Sequence, residues 1–589
     1  MNASALRPFT EHHFQTHDGV SLFYRHWPAL QTPRRGAIVL FHRGHEHGGR
    51  MAHLADELAL PGFDVFAWDA RGHGKSPGAR GHSPSFMTSV RDVQTFVDHI
   101  GVAHGVPVNE LFVVAQSVGA VLVATWLHDY APPVRGVTLA SPAFKVKLYV
   151  PFARPGLALM HKLRGSFFVN SYVKARFLTH DPARIASYES DPLIARPIAV
   201  HVLLDLYRAA ERVVADAQAI GAPTQLLISG ADWVVHHAPQ HAFFDRLSSP
   251  VKEKHVLPGF FHDTLGERDR QPVVAKVRGF IERVFASPPS QPDLTQADRI
   301  GPTAEEARAL GSPLPRLSPK GLYWAATRAG LAVGATLSQG LRLGQQTGFD
   351  SGSTLDYVYQ HQPRGRTVVG RLIDRVYLES IGWRGIRQRK RHLEQMLGQA
   401  IARLHRAGRP VHLLDIAAGH GRYVLDAVAQ QPHPVQSILL RDYSELNVRA
   451  GHGLIRQRGV ADRARFETGD AFDASSLASV QPRPTLAVVS GLYELFPENG
   501  PVAASLGGLA EAVEPGGYLV YTGQPWHPQL ELIARALTSH RAGQAWVMRR
   551  RTQAELDQLV ANAGFRKVGQ LIDEWGIFTV SLAQRVADR

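Results

Sequence analysis

The chain has 589 residues, more than one hydrophobic core can organise, and its 44% hydrophobic and 20% charged residues describe an ordinary soluble globular protein with two large domains. Cysteine is absent, which excludes disulfides, a thiol nucleophile and thiolate metal sites, and fits a reducing, cytoplasmic setting. Lysines and arginines number 65 against 51 acids, a net charge of +14 that favours anionic partners, whether nucleic acid or acidic headgroups, over cationic ones. The opening stretch, MNASALRPFTEHHF, holds no apolar run of the kind a secretory leader carries.

Residues 20–286 alternate short apolar runs with amphipathic segments, the pattern of a mostly parallel sheet covered by helices. Buried strands are expected at 36–42, 64–69, 111–116, 134–140 and 224–229, after a first hairpin that turns at Asp18–Gly19. Between 141 and 215 the alternation lapses into helical, aromatic-bearing sequence, an expected lid over the domain 1–286. Proline density at 287–320 predicts an extended linker with one short helical patch, TAEEARAL. A helical extension at 321–394 begins with the apolar stretch 321–343 and turns basic at Arg364, Arg366, Arg371, Arg375, Arg384, Arg387, Arg389, Lys390 and Arg391. A second alternating series fills 395–589, with strands at 411–416, 437–440, 464–467, 485–490 and 518–522, and a further basic run at Arg549–Arg551.

The first half carries a serine where a strand meets a helix. Ala115-Gln-Ser117-Val-Gly119 follows LFVV and precedes AVLVATWLHD, a sharp turn that exposes a nucleophile and demands small neighbours. Downstream, Asp232 follows the strand TQLLIS and His262 stands in GFFHD, the order in which a serine hydrolase needs its orienting acid and its base. The loop after the strand GAIVLF reads His42-Arg-Gly44-His-Glu46-His47-Gly-Gly49-Arg50. It resembles the oxyanion loop of the monoacylglycerol lipase and lysophospholipase branch of α/β-hydrolases, as do Asp69-Ala-Arg-Gly-His-Gly74, Ser141-Pro-Ala and Asp191-Pro-Leu. The resemblance implies an α/β-hydrolase fold with a helical lid and hydrolysis of a lipid-like ester. It also implies oxyanion donors at the backbone N–H groups of Gly44 and Val118. Arg43 and His45 depart from the glycines the family prefers. Two other patterns compete for attention. His42, His45 and His47 have the composition of a metal site without a completing carboxylate pattern, so no metal is expected. His13 and Asp18 match the H-x4-D spacing of glycerolipid acyltransferases, yet the hairpin turn accounts for Asp18.

In the second half, Asp415-Ile-Ala417-Ala-Gly419-His-Gly421 joins a strand to a helix, where glycines admit a ligand close to the backbone. A dinucleotide loop would read G-x-G-x-x-G. The spacing here better resembles the loop of class I S-adenosylmethionine methyltransferases, which implies a Rossmann-like fold and that cofactor. On that resemblance Asp415, Ala417, Gly419 and Gly421 form the loop, Asp442 meets the ribose, and Asp470 and Ala471 meet the adenine. Tyr493, Glu494 and His527 are candidates for binding the methyl acceptor or removing its proton. The fourth strand lacks the N-P-P-Y or D-P-P-Y clamp for base amines.

The reading is therefore an α/β chain that resembles bacterial hydrolase–methyltransferase fusions. It is expected to act in lipid metabolism as a cytoplasmic protein with no nucleic-acid partner, and its stretch 321–343 either meets an anionic membrane surface or packs as a helix on the methyltransferase core. Two rivals stand beside it: a methyltransferase whose hydrolase half only binds lipid or protein, and an RNA methyltransferase with an accessory hydrolase.

Overall fold

Apolar runs buried on both faces need helices above and below them, and that need organises both halves of the chain. The computed structural model describes residues 6–289, 291–541 and 543–586, so the first five residues of the opening stretch lie outside the described residues. The chain divides into two units, Met1–Pro292 and Asp293–Arg589.

In the first unit the strands are β1 (Thr10–Gln15), β2 (Ser21–Trp27), β3 (Gly36–Phe41), β4 (Phe63–Trp68), β5 (Leu111–Gln116), β6 (Gly136–Ala140), β7 (Phe168–Asn170), β8 (Pro197–Ala199), β9 (Thr224–Ser229) and β10 (Lys252–Leu257). Eight of them form one sheet in the order β1-β2-β4-β3-β5-β6-β9-β10, parallel from β4 to β10. Every residue of β3, β4, β5, β6 and β9 is buried, as the uninterrupted apolar runs require. β10 escapes a pattern search because KEKHVL is an edge strand with half its residues charged. The lid comprises helices Ala153–Arg164, Pro182–Ser190 and Val200–Ala215, tied by a small hairpin of β7 with β8 that sequence periodicity misses.

The second unit orders its seven strands β13 (Ala464–Thr468), β12 (Ser437–Asp442), β11 (His412–Asp415), β14 (Leu486–Val489), β15 (Tyr518–Gly523), β17 (Thr579–Arg585) and β16 (Phe565–Ile572). β17 runs antiparallel to both its neighbours and the others are parallel. One face packs on the 26-residue helix Ile381–Arg406 and on Arg422–Ala429, the other on Asn499–Ala512 and Gln553–Asn562. Helices Pro319–Leu337, Gln339–Thr347, Gly352–Gln360 and Val368–Leu378 gather around Phe349, Trp383, Ile386 and Phe578 as a further layer. The apolar stretch 321–343 is thus two helices, broken at Ser338, whose buried hydroxyl caps Leu341 N at 3.2 Å and meets Asp374 at 2.5 Å. The expected boundary at 394/395 falls inside the helix Ile381–Arg406. Among the described residues no helix is long and apolar enough to cross a membrane.

Two expectations are corrected here. Residues 293–320 belong to the second unit and are fastened to it, with helix Pro302–Gly311 at their centre. Arg549–Arg551 are not an anionic-partner patch but the fastening itself, all of them buried. Arg549 forks onto Glu555 at 2.6 Å and reaches Thr303 Oγ1 at 3.1 Å and Asn499 Oδ1 at 2.8 Å. Arg550 pairs with Glu306 at 2.5 Å, and Arg551 donates to Asn499 Oδ1 and the carbonyls of Phe496 and Glu498. A buried charge keeps its place only where such partners replace water, and removing one partner strands the other. Arg549→Met should therefore cost about 3–5 kcal/mol of stability in the second unit. Hydrogen exchange on the full chain should show protection lost in the core amides of 293–586 and kept in 6–289; unchanged protection of the second unit would dismiss the fastening role.

Candidate active sites

Four parallel strands of the first unit, β3, β5, β9 and β10, end at one edge, and each delivers a part of the first site. After β5, Ser117 adopts φ 55° and ψ −116°, a conformation that costs a non-glycine residue energy and projects its hydroxyl above the sheet. Helix Val118–Tyr130 then passes so close to β3 that a Cβ on Gly119 would lie 2.4 Å from the His42 carbonyl oxygen. After β10, His262 places Nε2 2.7 Å from Ser117 Oγ. After β9, Asp232 places Oδ2 2.8 Å from His262 Nδ1, while its Oδ1 accepts from Val234 N at 2.7 Å and Val235 N at 3.0 Å. Burial opposes ionisation of Asp232, but His262 and the two N–H groups outweigh it and hold the carboxyl below the usual range. All three side chains are buried. The line can pass a proton from the serine hydroxyl to the imidazole while the carboxylate fixes the ring.

The loop after β3 shows what becomes of Arg43 and His45. Arg43 forks onto Glu46 at 2.7 and 2.5 Å and lies 3.8 Å from Asp263, so its side chain is turned into a buried ionic cluster. Asp263 also accepts from Arg184 of the lid at 2.9 Å and from Gln116 at 3.1 Å. Although burial opposes it, the two guanidinium groups keep Asp263 ionised well below the ordinary carboxylate range. His45 takes φ 68°, and its carbonyl accepts from Ala195 N of the lid at 2.9 Å. His47 accepts from Gly49 N through Nδ1, so its Nε2–H donates to Asp191 at 2.9 Å. His42 accepts from Ala70 N at 3.0 Å and donates to the Arg43 carbonyl at 2.7 Å. Both nitrogens of His42 and of His47 are thus spent on loop and lid. Gly44 sits against Val118, the residue that follows Ser117, and an added Cβ would lie 3.0 Å from the Val118 side chain. Near the hairpin turn, His17, Asp18 and Asp92 are the one grouping spaced for an ion among the described residues, but Arg71 already binds both carboxylates at 2.9 Å.

In the second unit the glycine turn lies between β11 and its helix, where β11 and β14 diverge to opposite halves of the sheet, the place at which open α/β sheets bind ligands. Gly419 and Gly421 take φ 57° and 75°, and a Cβ on Gly421 would strike Leu440 at 2.4 Å. Asp415 is wholly buried, receives the Tyr423 hydroxyl at 2.5 Å and Ala417 N at 3.3 Å, and has its carboxyl pushed up to about 7 by burial. Asp442 accepts from Ser444 N and Asn447 through Oδ1 and from Gly419 N at 2.9 Å through Oδ2. A carboxylate has about four acceptor positions, so Oδ2 keeps one for a ligand hydroxyl. Asp470 is exposed and caps Phe472 N at 2.9 Å, next to the buried Ala471. The turn also meets helix Gly352–Gln360: Gly352 Cα lies 3.5 Å from the Cβ position of Gly419, and Asp356 binds Arg422 at 2.5 Å. That helix has no motif, which is why sequence reading leaves it out of the site.

The three acceptor candidates part company. Tyr493 faces the core, where its hydroxyl donates to Ser505 at 3.0 Å. Glu494 and His527 line a cavity, together with Arg389 of the basic run, which is buried and pairs with Glu494 at 3.2 Å. His527 accepts Gln529 N at 3.0 Å through Nδ1, so Nε2 carries the proton, and burial drops its pKa to about 4. It is a donor, not a base.

Comparison with known proteins assigns each half of the chain to a family model. A family model described as "Putative methyltransferase" matches residues 277–585, and one described as "Serine aminopeptidase, S33" matches residues 32–269. YnbC of Escherichia coli (strain K12) is 61% identical over 576 residues, 98% of each chain. The chain belongs to the first of these families. Its first unit is an S33-type α/β-hydrolase domain, and its second is the methyltransferase-family domain. A monoacylglycerol lipase of Mycolicibacterium smegmatis is 28% identical over 276 residues, covering 46% of this chain and 96% of that one. The crystal structure of Paleococcus ferrophilus monoacylglycerol lipase matches with 25% identity and a TM-score of 0.40, over 45% of this chain and 98% of that one. The methyltransferase-family match starts ahead of residue 293, in keeping with the attachment of 293–320 to the second unit.

The buried Asp415 makes a pH prediction. Its native carboxyl holds a proton up to about 7, whereas an unfolded one releases it near the ordinary value of 3.8. The native state therefore binds the extra proton between these values, and the stability this provides is present below the lower one and lost as pH rises through the upper. Asp415→Asn should abolish that slope, which is at most about 1.4 kcal/mol per pH unit. Denaturant titrations of both chains from pH 4 to 8 should diverge; parallel profiles would place the titration elsewhere.

Proposed function

We propose that the chain is bifunctional: the first unit hydrolyses a lipid-like carboxylic ester, and the second transfers a methyl group from S-adenosylmethionine. The hydrolase reading is carried by the line Asp232–His262–Ser117 at 2.8 and 2.7 Å on a strained elbow. Ser117 Oγ attacks the ester carbonyl as His262 Nε2 takes its proton. The developing oxyanion lies toward the N–H groups of Gly44 and Val118. His262 then returns the proton to the leaving alcohol, and a water activated by the same ring releases the acid. Apolar substrate is favoured by a lid that exposes Leu148, Tyr149, Val150, Phe152, Leu159 and Leu163. The sequestered side chain of Arg43 speaks against an inactive oxyanion loop.

In the second unit the cradle fits the cofactor. The turn Ala417–Gly421 holds Gly419 and Gly421 at positive φ, and the spare acceptor position of Asp442 suits a ribose hydroxyl, with Asp470 and Ala471 proposed for the adenine. When bound, the cofactor supplies an electrophilic methyl group on sulfur. Asp415 holds the turn in shape through Ala417 N and Tyr423.

A fluorophosphonate probe should label the wild-type chain on Ser117, and Ser117→Ala should abolish both labelling and ester cleavage, a loss of several orders of magnitude that His262→Ala repeats without adding to it. Normal esterase activity in Ser117→Ala would overturn the assignment. Asp442→Ala should weaken S-adenosylmethionine binding by about 1.5–3 kcal/mol in calorimetry, the worth of a charge-assisted hydrogen bond, with no effect on labelling of Ser117. Unaltered affinity would put the cofactor elsewhere.

A further inference from the structure

The second unit encloses a cavity of about 580 Å³, the size of a small-molecule site. Its walls are apolar, built from Leu331 and Leu337 of the first added helix, Ile373 of Val368–Leu378, Trp383 and Ile386 of the long helix, and Phe578. Arg389, Glu494, Gln524 and His527, all buried, line the cavity beside Gly491 at the end of β14, the strand beside β11 and its glycine turn. Asp350, Tyr377, Ser380 and Gln529 add further polar groups to the wall. Five polar atoms of the lining residues are buried without a hydrogen bond: Tyr377 Oη, Arg389 Nε, Glu494 Oε2, Gln524 Nε2 and Trp546 Nε1. Each such atom costs stability that a fitting ligand recovers.

At the β14 end the set is one acceptor, Glu494 Oε2, and three donors, Arg389 Nε, Gln524 Nε2 and the Nε2–H of His527. A carboxylate would face Glu494 with like charge. An ammonium would meet Glu494 but leave the donors unanswered. A neutral hydroxyl gives its proton to the acceptor, takes a hydrogen bond from a donor, and keeps a lone pair for reaction.

The other end opens on the surface. Val333 and Val376 line the cavity and are each 67% exposed. Val376 continues a row of exposed apolar residues, Val368, Val369 and Leu372, on one helix face, with Leu322 and Tyr323 exposed on the neighbouring helix. The exposed Arg366, Arg371 and Arg375 stand among them. An apolar rim with interspersed arginines is the composition that seats a helix in an anionic lipid surface, at about 1 kcal/mol per basic residue near it.

We propose that this cavity is the methyl-acceptor site, that its substrate is an apolar compound bearing one neutral hydroxyl, and that this compound enters from an anionic bilayer on which the rim rests. The inference builds on the methyltransferase reading above. Glu494 takes the hydroxyl proton as the substrate oxygen bonds to the methyl carbon. The carbon–sulfur bond breaks, and its electron pair stays on what becomes a neutral thioether. The product is a methyl ether.

The test uses the full chain and three probes of one length: 1-dodecanol, dodecanoate and dodecylammonium. Without cofactor, dodecanol should bind and alter tryptophan fluorescence at least tenfold more tightly than either charged probe. Leu337→Trp, which fills the cavity, should weaken dodecanol binding at least tenfold with S-adenosylmethionine affinity intact. Glu494→Gln keeps the shape and should retain cavity binding within a few-fold while methyl ether, read by mass spectrometry, disappears. Flotation should occur with phosphatidylglycerol vesicles and not with phosphatidylcholine ones, and Leu372→Asp should reduce it tenfold without altering dodecanol binding. Preference for a charged probe, dodecanol binding unaffected by Leu337→Trp, or equal flotation on both vesicles overturns the proposal. A wild-type chain that binds dodecanol but no S-adenosylmethionine instead overturns the reading beneath it.

Discussion

A parallel strand cannot return to its neighbour by a tight turn, so each must be followed by a crossover, and all the C-terminal ends collect at one edge of the sheet. Both units depend on that constraint. In the first, β3, β5, β9 and β10 deliver the oxyanion loop, Ser117, Asp232 and His262 to the same edge from positions up to 220 residues apart, a convergence that no local sequence feature could produce. In the second, β11, β12, β14 and β15 deliver the glycine turn, Asp442, Gly491 and His527 in the same way. The antiparallel β17 ends the series because it follows β16 by a hairpin, and it contributes no site residue.

This is also why so much of the site was legible in the chain. Central parallel strands are buried on both faces and read as unbroken apolar runs, so β3, β5, β9, β11 and β15 appear in the sequence within a residue or two of their bounds. The residues just past each run are then candidates by position, which is how Ser117, Asp232, Gly419 and Asp442 are reached, whereas His262, beyond the missed β10, is reached from its place after Asp232 in chain order. Of the strands that were missed, β10 is a charged edge and β16 is half-buried along most of its length, whereas β17 is buried but breaks its apolar residues with Thr579, Ser581 and Gln584. The roof of the second site was missed for another reason. Helices Pro319–Leu337, Gly352–Gln360 and Val368–Leu378 carry no catalytic motif, and their role as cover for the glycine turn and the cavity is a fact of packing alone.

Charge was the least readable property. Arginine in a sequence reads as surface, because burying a guanidinium in isolation is prohibitive. Here Arg43, Arg389, Arg549, Arg550 and Arg551 are all buried, each with carboxylate or carbonyl partners brought by the fold. Glu555, only six residues from Arg549, was in view, but Asn499 and Thr303 come from 50 and 246 residues away. Part of the basic run therefore lies inside the protein, while Arg364, Arg366, Arg371, Arg375, Arg384 and Arg391 stay exposed.

The ionic cluster of the first unit shows what such burial achieves. Relative to a well-packed apolar substitute, a buried ion pair adds little stability, yet losing one member of it is costly. Arg43, Glu46, Arg50, Arg184 and Asp263 span three segments: the oxyanion loop, the lid and the loop that bears His262. None of these segments can shift alone without stranding a charge. That rigidity is what allows Ser117 and His45 to be held at positive φ, where a side chain is disfavoured by of order 1–3 kcal/mol. The departures from glycine at Arg43 and His45 then become intelligible together. Arg43 trades a flexible position for a charged anchor, and the anchor, through Glu46 and the lid contact at Ala195, keeps His45 in the conformation that a glycine would have adopted freely.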